Sequence, residues 1–162
     1  VSNKLIPISL FQRRQFVPGS GRCAVILGTV FYEAFGANSV ARVLEKLEKL
    51  SLALAEDVFY VPHPRGEALD VRNLKILDSE KIAEDIISDL LVKYESVDLY
   101  GFCSSVQINM ASVPGISNIF LTISGAKSHV LDMLELANRA RISPSGTFRY
   151  SPGSGTRQRS AR

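Results

Sequence analysis

Two stretches of the chain repeat apolar residues at helical spacing, and several shorter runs read as strands. Val40, Val43, Leu44, Leu47, Leu50 and Leu54 share one stripe, while Arg42, Glu45, Lys46, Glu48 and Lys49 take the other face. Asn38 or Ser39 can cap this stretch, so the pattern predicts a helix over 39–55. Ile82, Ile86, Leu90 and Tyr94, widened by Ala83, Ile87 and Leu91, predict a second helix over 79–94, with Asp78 as its N-cap. Leu99, Phe102, Val106 and Met110 extend the helical spacing into 97–112, although Gly101, Ser104, Ser105 and Asn109 weaken it. A short helix is expected over 128–138.

The strand-like runs are Cys23–Leu27, continued past Gly28 by Thr29–Tyr32, then Asp57–Val61, and a bulged or split strand over 68–76. Ile116–Ile123 is the most apolar of them, and Gly146–Tyr150 alternates like an edge strand. Pro62-His-Pro-Arg-Gly66 must be a loop, because two prolines and a glycine leave no regular ladder.

Charge changes the picture at the end of the chain. Residues 1–126 carry 12 Lys and Arg against 14 Asp and Glu, whereas residues 127–162 carry 7 against 2. A basic end on a near-neutral body suits a polyanionic partner, nucleic acid before membrane surface. Phe11-Gln-Arg-Arg-Gln-Phe16 interleaves aromatic and basic residues in the same sense. Residues 151–162 are low in complexity and basic, and are expected to order only on a partner. No apolar run reaches the roughly 18 residues of a membrane span. The two cysteines, Cys23 and Cys103, have neither metal-ligand spacing nor the density of a disulfide scaffold, and read as small buried thiols.

Candidate chemistry is sparse. The two histidines stand singly: His63 lies in the proline loop and reads as solvated, and His129 follows Ser128 with no motif around them. No glycine-rich phosphate loop of either common spacing is present. Asp78, Glu80, Glu84, Asp85 and Asp89 cluster on one helix, where a solvated polar face is the default and a carboxylate enzyme the minor alternative. These residues predict no catalytic site, cofactor, metal or small-molecule substrate.

The order of elements resembles the small-subunit ribosomal protein S-three family, in an eroded mitochondrial form. Cys23–Tyr32, Phe35-Gly36-Ala37, the helix from Val40 to Leu54 and a strand between Asp57 and Ile76 follow that family's N-terminal KH unit. Leu77-Asp-Ser-Glu-Lys-Ile-Ala-Glu-Asp-Ile86, and later Gly115-Ile-Ser-Asn-Ile-Phe-Leu-Thr-Ile-Ser-Gly125, are similar to its C-terminal part. The resemblance implies an α+β chain: an N-terminal arm and degenerate KH-like (type II) domain over 1–77, a small α/β domain over 78–150, and a basic tail over 151–162.

It further implies a structural, non-catalytic constituent of the mitochondrial small subunit, bound to ribosomal RNA and to neighbouring ribosomal proteins near the messenger entry. Only Gly36 survives of the KH loop, with no basic residue between it and Arg42. RNA contact would therefore fall to Arg13, Arg14, Arg139, Arg141, Arg149, Arg157, Arg159 and Arg162. The alternative is a subunit of another organellar assembly that makes no contact with RNA.

Overall fold

The computed structural model describes residues 20–54, 57–66, 74–77, 80–122, 126–139 and 146–149. Strand β1 (Arg22–Leu27) is its axis. Every residue from Cys23 to Leu27 is buried, as a central parallel strand covered on both faces requires. Beside it lie β2 (Asp57–Val61) and the two-residue β3 (Lys75–Ile76) on one flank, and β4 (Ser96–Gly101), β5 (Ile116–Thr122) and β6 (Gly146–Arg149) on the other. The strand order is β3-β2-β1-β4-β5-β6, and all five pairings are parallel. This is the order of a doubly wound α/β sheet, which builds outward from β1 in one direction and then restarts from β4 in the other.

Helices cover both faces. Between β1 and β2 run α1 (Phe31–Phe35), a 3₁₀ turn (Ala37–Ser39) and α2 (Val40–Ala53). Val43, Leu47 and Leu50 of α2 pack with Ala24, Ile26, Tyr60 and Tyr100 from one sheet face. On the opposite face, α3 (Ala83–Lys93) sets Ile86, Ile87, Leu90 and Leu91 against Val25, Leu27, Val97 and Leu99. The short α4 (Ser105–Asn109) follows β4, and α5 (Ser128–Arg139) follows β5. Each fully buried large aliphatic side chain contributes about 1.5–3 kcal/mol, so these two layers supply the main driving force for folding.

Several sequence expectations change here. The unit over 22–76 is not KH-like: Cys23–Tyr32 forms no hairpin, and β1 pairs in parallel with β2 and β4. Thr29–Tyr32 does not continue a strand. Phe31, Ala34 and Phe35 bury at helical spacing instead, and Phe35 meets Phe102 edge-on at 5.0 Å. The helix expected over 97–112 is β4 plus α4, because Val97 and Leu99 face one core while Tyr100 faces the other. The helix expected from 79 begins at Ala83, with Asp78 outside the described residues. The units expected on either side of position 77 share one sheet, joined along β1 and β4.

Asp98 sits in the middle of this arrangement and is fully buried. Its Oδ2 accepts from the Arg22 guanidinium, a residue 76 positions away, while its Oδ1 has no hydrogen-bond partner. The pair lies towards the N-terminal ends of β1 and β4. Nearby on the surface, Asp57 Oδ1 accepts from Lys75 Nζ at 2.5 Å and Oδ2 from the Tyr94 hydroxyl at 2.9 Å. Both bonds favour the ionised form, so the Lys75 ammonium first and the Tyr94 hydroxyl second hold the Asp57 carboxyl below its ordinary range.

Candidate functional site at the carboxyl ends of the central strands

In a doubly wound sheet, the loops leaving two neighbouring strands diverge to opposite faces where the order reverses, and a crevice opens between them. Here the reversal lies between β1 and β4, and a cavity of about 540 Å³ opens at their carboxyl ends. The β1 exit contributes Gly28, Thr29 and Val30; the β2 exit contributes His63 and Arg65; the β4 exit contributes Ser104 and Ser105. Glu33 of α1, Ile82 and Glu84 at the start of α3, and His129 and Met133 of α5 complete the walls.

The floor is tightly built. Gly28 N–H donates to the Val61 carbonyl at 2.8 Å. A Cβ at position 28 would lie 2.7 Å from the Tyr60 hydroxyl and 2.8 Å from the His63 amide nitrogen, so only glycine fits between the two exits. Burial drives the Tyr60 phenol up to about 12, which keeps it protonated beneath the cleft.

The β4 exit depends on Gln107. Its Oε1 accepts from Cys103 N–H at 3.0 Å and Ser104 N–H at 3.3 Å, and its Nε2 donates to the Leu99 and Ile119 carbonyls at 3.1 and 3.3 Å. Ser104 Oγ accepts from Gln107 N–H in return, closing a capping box at the start of α4. Gly101 permits this, since a Cβ there would lie 2.7 Å from Gln107 Oε1. Cys103 takes φ 61°, a left-handed conformation costing a β-substituted residue about 1–3 kcal/mol. Its Sγ donates to the Met133 carbonyl at 3.2 Å, and burial raises its thiol pKa, so it is a fixed, neutral group.

The β2 exit is a turn closed by Gly66 N–H donating to the His63 carbonyl at 2.7 Å. Arg65 N–H donates to His63 Nδ1 at 3.1 Å. Burial first, and the Arg65 cation second, lower the His63 pKa, against a smaller opposing pull from Glu33. Arg65 and Glu33 approach within 3.6 Å at the exposed rim, a pairing that solvent makes weak.

The sequence reading placed no site residue here. His63 is half-buried in the cleft wall rather than solvated. Glu84, assigned to a solvated acidic face, is buried and accepts from Asn109 Nδ2 at 2.9 Å. The only sequence signals were single residues, with no spacing to join them. Of the arginines expected to bind RNA, Arg139 ends α5 and Arg149 ends β6. Arg13, Arg14, Arg141, Arg157, Arg159 and Arg162 lie outside the described residues. Among the described residues, no group of three or more His, Cys, Asp or Glu is placed to hold a metal ion, and no helix is long and apolar enough to cross a membrane.

Residues 1–124 match the family model of Glycosyltransferase family 52. No curated protein matches the chain. The family match overturns the resemblance to ribosomal protein S-three, and the structural, ribosomal-RNA-binding role falls with it. It points to an enzyme where none was expected, and to a sugar donor and acceptor in place of ribosomal RNA and ribosomal proteins. The mitochondrial ribosome as location, and the alternative of a subunit in another organellar assembly, have no support. The error is physical in origin: an ordered series of strands and helices does not state which strands pair, and the parallel pairing of β1 separates this fold from the expected one.

Proposed function

The chain belongs to glycosyltransferase family 52, and on that premise we propose that its cleft binds the activated sugar donor of a glycosyl transfer. The observation that carries this reading is the position of the cleft. It opens where the strand order reverses, the place at which doubly wound sheets take ligands bearing nucleotide and phosphate groups. Most of its walls come from segments inside the matched residues 1–124.

The side chains suit such a ligand. Thr29, Ser104 and Ser105 bring hydroxyls that can donate to phosphate or sugar oxygens, and Arg65 brings a cation to the rim. In the transfer, an acceptor oxygen forms a bond to the anomeric carbon while the bond to the donor's leaving-group oxygen breaks. The acceptor's proton passes to a base, and Glu33 and His129 are groups in the cleft walls able to take one. Hydroxyl donors set at the strand exits, those of Thr29 and Ser105, would stabilise charge on the leaving group with little reorganisation.

The test is binding of a panel of nucleotide sugars to the full chain by ligand-observed NMR. Saturation transfer to at least one member is expected. Ser105→Trp, which fills the cleft from an exposed position without adding charge, should weaken that binding about tenfold or more, equivalent to about 1.4 kcal/mol. Absence of transfer to every member, or binding that Ser105→Trp leaves unchanged, overturns the reading.

A further inference from the structure

His63 is held more firmly than a surface loop requires. Its carbonyl accepts from Gly66 N–H, its amide nitrogen packs where any side chain at position 28 would collide, and its ring nitrogen Nδ1 accepts from Arg65 N–H. A neutral imidazole carries one proton, so a ring whose Nδ1 accepts a hydrogen bond must carry that proton on Nε2.

We propose that His63 serves the cleft as a neutral hydrogen-bond donor through Nε2–H, offered to a phosphate or sugar oxygen of the bound donor substrate, and not as the base of the reaction. The inference rests on the donor-binding reading given above. A base would need a free ring lone pair, and the backbone of Arg65 already uses the available one. The charged groups around the ring agree with a neutral imidazole. Arg65 disfavours a second positive charge and burial disfavours any charge, while Glu33, already within reach of Arg65, opposes them only weakly. Gln107 supplies the counterpart on the other wall, where it fixes the β4 exit through backbone amides.

The experiment uses the full chain with nitrogen-labelled histidine. The two imidazoles, His63 and His129, are told apart by the spectrum of His63→Gln. Long-range nitrogen–proton correlation near neutral pH should show His63 as the Nε2–H tautomer. An Nδ1–H tautomer or an imidazolium overturns the proposal and leaves the donor-binding reading intact. UDP, GDP and CMP are then titrated into wild type, His63→Phe and His63→Gln. His63→Phe keeps a ring but no donor, and should bind roughly tenfold more weakly. His63→Gln returns an N–H near the Nε2 position and should recover most of the loss. Wild-type binding by a folded His63→Phe ends the donor role alone. If none of the three nucleotides perturbs the cleft resonances of Gly28, Thr29 or Ser105, the donor-binding reading fails and the proposal fails with it.

Discussion

The two ends of the central strands β1 and β4 are built on opposite terms. At their N-terminal ends a buried carboxylate, Asp98, is matched by Arg22, and the surface nearby is tied by Asp57, Lys75 and Tyr94. At their carboxyl ends the chain leaves Gly28 and Gly101 without side chains, accepts a strained Cys103, and turns hydroxyls and imidazoles towards a cavity. One end closes its polar groups into pairs; the other sets several of them around an open cavity. The contrast shows that the same two strands supply both the stability of the sheet and the opening in it, and substitutions should separate the two.

The largest effect is expected from Arg22→Met. Removing the guanidinium leaves the Asp98 carboxylate buried without its countercharge, and should cost about 3–5 kcal/mol in urea unfolding. Nucleotide binding per folded molecule should not change. A variant as stable as wild type would show that the Arg22–Asp98 pair adds nothing to the stability of the sheet, and the contrast between the ends would fail at its first term.

Gln107→Leu should come next. It leaves the amides of Cys103 and Ser104 and the carbonyls of Leu99 and Ile119 without their partner. The expected cost is about 1–3 kcal/mol in total, because water can reach the part-buried Ser104 and Ile119 groups once the amide is gone. Unlike Arg22→Met, this substitution should also weaken ligand binding, because the β4 exit loses its brace. Equal binding by both variants would merge the two ends into one structural role.

How far these ends could be seen in the sequence follows from the range of the contacts that make them. Helix α2 was legible because its stripe is local, and the expected 39–55 lies close to Val40–Ala53. Strands β2 and β5 stood out as apolar runs between breakers. Strand β4 did not, because a strand buried on both faces loses the alternation that marks a half-buried one. Leu99, Phe102, Val106 and Met110 therefore imitated a helix. Nothing local in the sequence marks Asp98 for burial, since its partner Arg22 stands 76 positions away. The cleft was hidden for the same reason: its walls come from the exits of β1, β2 and β4, which meet only after the sheet has formed. His63 was visible as a residue, but its tautomer is set by the fold of its own loop.

The smallest effect concerns acid. The Asp57 carboxyl has its pKa lowered in the folded state by Lys75 and Tyr94. Its contribution is therefore present above the ordinary carboxylate range and is lost as pH falls through the depressed folded value. Asp57→Asn should flatten that part of the stability profile on the acid side and leave the neutral side nearly level. A profile that keeps its full acid slope in the variant would move the titration to another carboxylate.

The outer strand β3 is two residues long, with Lys75 drawn down to Asp57 and over the Phe59 ring at 5.5 Å, and Ile76 half open to water. So short a margin offers a foreign strand almost no ladder to extend, and its lysine makes docking there cost the Asp57 pairing or leave a charge against the intruder. Among the described residues, that flank therefore gives an added strand little to build on.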